Sequence, residues 1–211
     1  MEQKNSGILY HASCVAGLKE LTPRASTHGE AYVYAIDNAV TALLFGAPKD
    51  DFDVLVDEED GRPILWECRP DALRAVYAGR GCALYAVPAE GFLCGQTGWR
   101  PERVCKTPVP VIREETIPDL YERLLAAEAE GLCVLHHFRA DKSYHAFLCG
   151  EFRARIAAFG ITENAVRADA RFAPFLEDLF PQSEAGESTD AGRSAFHAKR
   201  RAPDVRHFTL R

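Results

Sequence analysis

Tyr32-Val-Tyr-Ala-Ile36, running directly into Asp37-Asn-Ala-Val-Thr-Ala-Leu-Leu-Phe45, is the stretch on which the fold turns. Tyr32 and Tyr34 alternate with Val33 and Ala35, the two-residue period of a strand, so residues 31–35 are expected to be one. Asp37 stands where a capping residue belongs, and Val40, Leu43 and Leu44 fall on one side of a helix over 38–45. Upstream, Ile8, Leu9 and Tyr10 make residues 7–11 a second short strand, ending at His11 and followed by the small residues Ala12 and Ser13. A turn or short helix over 15–21 and a polar loop over 24–30 join the two strands.

Downstream, residues 52–56 alternate apolar and acidic. Asp57-Glu-Glu-Asp-Gly61 reads as a tight turn, and 64–68 as the returning strand of a hairpin. A helix with Pro70 at its start is expected to reach Tyr77, followed by a strand over 82–87. Gly91, Gly95 and Gly98 make 91–101 a loop or a short strand pair. Pro108 and Pro110 confine 103–113 to a sheet edge. The character then changes. Leu120, Leu124, Leu125 and Ala129 give an amphipathic helix over 117–132, with further helices over 143–158 and 170–180. From Gln182 the chain is polar and reads as a flexible tail. The expectation is an α+β fold: a core over 1–115, a helical extension over 116–181 packed on it, and a tail over 182–211.

The 211 residues suffice for one sizeable core. A net charge of −6 disfavours broad nucleic-acid binding, which needs a basic face. No basic-then-apolar leader and no membrane-length apolar run is seen. The seven cysteines form no Cys-x-x-Cys pair and mostly have apolar neighbours, as buried free thiols in a reducing cytoplasm would.

If the first two strands are neighbours, His11 and Tyr34 can line one cleft. The histidine could donate a hydrogen bond to a ribose hydroxyl, and the tyrosine could stack on a flat heterocycle.

The stretch Leu9-Tyr-His-Ala-Ser13, then Gly17-Leu-Lys-Glu-Leu-Thr-Pro-Arg24, then residues 28–45 resembles the start of an ADP-ribosyltransferase fold. The branch it is similar to is the one shared by diphtheria toxin and the poly(ADP-ribose) polymerases. The resemblance implies split mixed and antiparallel sheets with short helices, with NAD as substrate. It implies an enzyme of the glycosyltransferase class that releases nicotinamide and passes ADP-ribose to an unknown acceptor: protein, nucleic acid or small molecule. It puts His11 on a ribose hydroxyl, the backbone of Ala12 on the nicotinamide amide, Ser13 among the cofactor-binding residues, and Tyr34, with Tyr32 beside it, on the nicotinamide ring. Ala12 replaces the family's usual glycine, and its methyl would crowd the amide. Glu102 is the candidate for the family's third residue, with Glu90 as a weaker one.

A catalytically inactive nucleotide- or protein-binding module of the same fold is the competing reading, with the C-terminal helices as a surface for a protein partner. An RNA 2′-phosphotransferase relative would need several arginines at the cleft, and only Arg24 is well placed. No metal is expected. His136 and His137 would point to opposite faces of a strand, and no cysteine or acid completes a set with His145. The acidic turn lacks a calcium-loop spacing, and Lys199-Arg-Arg201 reads as a solvated run in the tail.

Overall fold

A computed structural model describes residues 7–25 and 29–181. Its class is α+β. By contacts the chain divides into two compact units. The first carries the described residues up to Arg139 and the second begins at Ala140.

The first unit is built on β1 (Ile8–Ser13), β2 (Glu20–Leu21), β3 (Arg24–Ala25), β4 (Ala31–Ile36), β5 (Val54–Glu59) and β6 (Arg62–Glu67). It continues with β7 (Cys82–Pro88), β8 (Leu93–Cys94), β9 (Glu102–Cys105), β10 (Val109–Pro110), β11 (Arg113–Ile117) and β12 (Val134–His136). Its helices are α1 (Ala39–Leu43), α2 (Ala72–Tyr77) and α3 (Leu120–Ala129). The main sheet runs β11-β7-β1-β4-β9-β8, with β3 also paired to β4. Along this order every pairing is antiparallel. A second sheet, β12-β6-β5, has one parallel pairing, β12 with β6, and β10 with β2 forms a separate ribbon.

Alternation along the strands sorts the core onto the two faces of the main sheet. Ala12, Ile36 and Leu84 point to one face and pack with Val40, Leu43 and Leu44 from α1, with α2 and α3, and with Leu65 and Leu135 of the second sheet. Leu9, Val33, Ala35, Tyr85 and Val87 point to the other, beneath Leu21 and Val109 of the β2–β10 ribbon. Each large apolar side chain buried this way stabilises the fold by about 1.5–3 kcal/mol.

Local chemistry sets the boundaries. Asn38, rather than Asp37, caps α1: its Oδ1 accepts from the Val40 and Thr41 amides at 2.9 and 3.0 Å. Asp37 instead pairs with Arg103 at 2.7 Å. The acidic hairpin turns on Asp60 and Gly61 alone, both with positive φ, the geometry an Asp-Gly pair favours; β5 therefore extends to Glu59. Asp119 caps α3 by accepting from the Tyr121 and Glu122 amides. The stretch expected as a turn or helix over 15–21 is irregular chain ending in β2. Pro110 does sit in an edge ribbon, but a full strand, β11, follows it and joins the main sheet.

The second unit contains α4 (Lys142–Phe159), α5 (Glu163–Ala168), a 3₁₀ turn (Ala170–Phe175) and α6 (Leu176–Leu179). Phe152 meets Phe172 and Phe175 edge-to-face, with centroids at 5.3 and 5.0 Å, and these rings form its centre. The expected tail over 182–211, with Lys199-Arg-Arg201, lies outside the described residues. No described helix is long and apolar enough to cross a membrane.

Gly81 lies where β7 meets the end of β11. A Cβ there would stand 2.9 Å from the Ile117 carbonyl oxygen and 3.1 Å from that of Pro118. Backbone cannot retreat as a flexible side chain does, so Gly81→Ala is expected to cost about 1–3 kcal/mol. Urea denaturation checks this; an unchanged midpoint would contradict the packing at this junction.

Candidate functional site

β1 is central in the main sheet and pairs with β7 through all six of its residues, from Ile8↔Pro88 to Ser13↔Ala83. It meets β4 through one pair only, Tyr10↔Ile36. β3 pairs with the opposite end of β4, at Tyr32 and Ala31. Between these contacts the Tyr34 carbonyl is taken by a side chain: His11 Nδ1 lies 2.8 Å from it. A carbonyl oxygen only accepts, so Nδ1 carries the ring proton and donates. Nε2 is then left with a lone pair, and it makes no hydrogen bond to the described residues. Burial pulls the His11 pKa down, with the Arg24 charge adding to that effect against the opposing Tyr34 hydrogen bond, so the ring is neutral near pH 7. His11 is thus a hydrogen-bond acceptor toward any ligand, the reverse of the donor expected from sequence.

The expected pair of rings does not line one cleft. Starting from Tyr10↔Ile36, alternation turns Tyr34 to the Tyr10 face and His11 to the Tyr85 face. The strands are neighbours, as anticipated, but the contact joining the two residues is ring to backbone. Tyr34 packs edge-on against Tyr32, with centroids 5.9 Å apart. The Tyr32 hydroxyl donates to Glu30 at 2.9 Å, and Lys106 lies over its ring at 5.7 Å. Ala12 is buried in the core beneath α1, so its methyl is core packing and not an obstruction beside His11. Ser13 Oγ accepts from the Val15 amide at 3.1 Å and shapes the turn after β1.

Glu102 lies opposite Ile36, on the Tyr34 face and away from His11. It is only 3% exposed. Burial pushes its carboxyl up to about 7. Among the described residues Glu102 Oε2, Thr97 Oγ1 and Arg103 Nε are buried without a hydrogen-bond partner. Arg103 also lines a charged groove of about 360 Å³, where it meets Asp37 and where Arg100 meets Glu58. Glu90 is exposed in the turn after β7.

Two residues not singled out from sequence share the His11 face. Tyr85 pairs with His11 in register, and Glu114 pairs with Tyr85 from β11. The Tyr85 hydroxyl donates to the Val15 carbonyl at 2.8 Å and accepts from the Leu18 amide at 3.2 Å. Both Glu114 oxygens accept from the Gly17 amide, at 3.0 and 3.1 Å. Together they hold the loop that leaves β1. Arg113-Glu-Glu-Thr-Ile117 has no apolar alternation to mark it as a strand, so local spacing carries no signal for Glu114.

The other histidines separate. His136 stacks on Trp66 at 3.7 Å, and His137 Nδ1 lies 3.4 Å from Glu67. In the second unit His145 is joined by the cysteine and acid that sequence spacing did not supply, Cys149 and Asp178.

No protein-family model, curated protein or solved structure matches this chain.

The Glu102 carboxyl has a pKa raised from 4.5 in the folded state. Its penalty is therefore absent below pH 4.5, and stability is lost as pH rises from there through about 7. Glu102→Gln is expected to match the wild type at low pH and to exceed it by roughly 3 kcal/mol above neutrality. Denaturation midpoints across pH check this; a constant difference between the two proteins would contradict the buried carboxyl.

Proposed function

We propose that the first unit is a nucleotide-binding module with its ribose site at His11, and that NAD is its ligand. The observation that carries the reading is the geometry of His11. It is a neutral imidazole, fixed by Nδ1 to the Tyr34 carbonyl, with the Nε2 lone pair left to accept from a hydroxyl. A ribose offers such a hydroxyl at a defined position. The choice of NAD rests on the resemblance of residues 9–45 to the ADP-ribosyltransferase fold. The lack of a common cleft for His11, Tyr34 and Glu102 favours binding without chemistry.

The second reading is ADP-ribosyl transfer to an unknown acceptor. One observation supports it: Glu114 is a carboxylate on the His11 face, two strands away across Tyr85. In that reading Glu114, and not Glu102, would orient the ribose as nicotinamide leaves and the acceptor attacks the anomeric carbon. Positioning and charge stabilisation would supply the catalysis. A cytoplasmic setting fits both readings, since all seven cysteines are free thiols.

NAD is expected to raise the melting temperature, and His11→Ala to weaken binding at least about tenfold, the value of one hydrogen bond of about 1.4 kcal/mol. No shift at millimolar NAD would remove NAD as the ligand. Nicotinamide release that disappears in Glu114→Gln would replace the binding reading with the transfer reading. Release lost only in Glu102→Gln would return the acid's role to Glu102.

A further inference from the structure

We propose that the second unit holds a metal site for a borderline transition ion of the Zn²⁺ type, formed by His145, Cys149 and Asp178. His145 and Cys149 are four residues apart on α4, so both project from one side of that helix. Asp178 reaches them from α6. The imidazole nitrogen, the sulfur and the carboxylate oxygen all lie within 4.8 Å of one another.

The distances are close to what coordination demands. Zinc bonds of about 2.0–2.3 Å place tetrahedral ligand atoms roughly 3.3–3.8 Å apart. His145 Nε2 and Asp178 Oδ2 are 2.7 Å apart and would open by about 0.6–0.8 Å; the sulfur would close by at most about 1.3 Å. Side-chain rotation covers both movements. The His145 ring is already held in plane by Phe175, stacked at 4.8 Å and 17°. Cys149 is buried while Asp178 is exposed, so the site opens on the carboxylate side and leaves a fourth position for water.

Donor type selects the ion. A thiolate with an imidazole favours Zn²⁺ or Co²⁺ over Mg²⁺ and Ca²⁺, which take oxygen ligands. Arg153 is the nearby opposing charge; its guanidinium donates to the Asp178 carbonyl, which holds it to the backbone. On binding, the Cys149 S–H bond is replaced by a metal–sulfur bond and its proton passes to solvent. The Nε2 proton that His145 donates to Asp178 passes to solvent while Nδ1 takes one up, and the freed Nε2 lone pair and the Asp178 carboxylate oxygen each bond the metal.

The test is Co²⁺ titration of the full chain, read by the sulfur-to-cobalt charge-transfer band in the near ultraviolet. One equivalent is expected to produce the band and one equivalent of Zn²⁺ to erase it. Cys149→Ala is expected to abolish the band. His145→Gln and Asp178→Asn are expected to weaken Co²⁺ binding at least tenfold, each with wild-type circular dichroism. No band at saturating Co²⁺ would overturn the site, as would a band that survives Cys149→Ala, which would assign it to another cysteine. If Cys149→Ala fails to fold, unchanged binding in His145→Gln overturns the site by itself.

Discussion

The hydrogen bond from His11 Nδ1 to the Tyr34 carbonyl is the contact on which the centre of the sheet depends. β1 and β4 are the middle strands, yet they share a single backbone pair. A buried carbonyl without a partner costs about 1–3 kcal/mol, so separation of the strands has to be met by some other donor. An imidazole on the neighbouring strand supplies it. The same bond fixes the tautomer, and the tautomer fixes what His11 can offer a ligand.

The rest of the site follows from register. Once Tyr10 faces Ile36, each strand's side chains are assigned to a face, and a shift of one residue would exchange them all. Tyr34 and Glu102 thereby fall on the face covered by α1. His11, Tyr85 and Glu114 fall on the face where the loop after β1 is anchored. The sheet therefore separates two chemically different places. One holds the buried carboxyl of Glu102, and the other holds a neutral histidine with hydrogen-bonded polar neighbours.

Much of this plan was legible in the sequence. The strands around Tyr10, Tyr34, Val56 and Leu84 and the helix around Leu124 follow from period-two and helical spacing, and the α+β class follows from their order. The neighbouring placement of β1 and β4 was also open to inference. Their relative faces were not, because spacing within a strand says nothing about register between strands. The Asn38 cap was missed because Asp37 and Asn38 are both competent caps, and the choice was made by Arg103, which is distant in sequence. Glu114 was missed because the span 103–113 was read as one edge segment, whereas β9 lies inside the main sheet between β4 and β8 and it is β11, just after the prolines, that forms its edge beside β7. The grouping of Cys149 and Asp178 with His145 depends on how α6 returns to α4, which local spacing does not encode.

The most direct measurement is the ¹⁵N chemical shifts of the His11 ring at neutral pH, assigned by comparison with His11→Gln. The account predicts a protonated Nδ1 and an unprotonated, pyridine-type Nε2, with the ring still neutral at the ordinary histidine pKa of about 6.5. A protonated Nε2, or a ring that titrates at the ordinary pH, would contradict it.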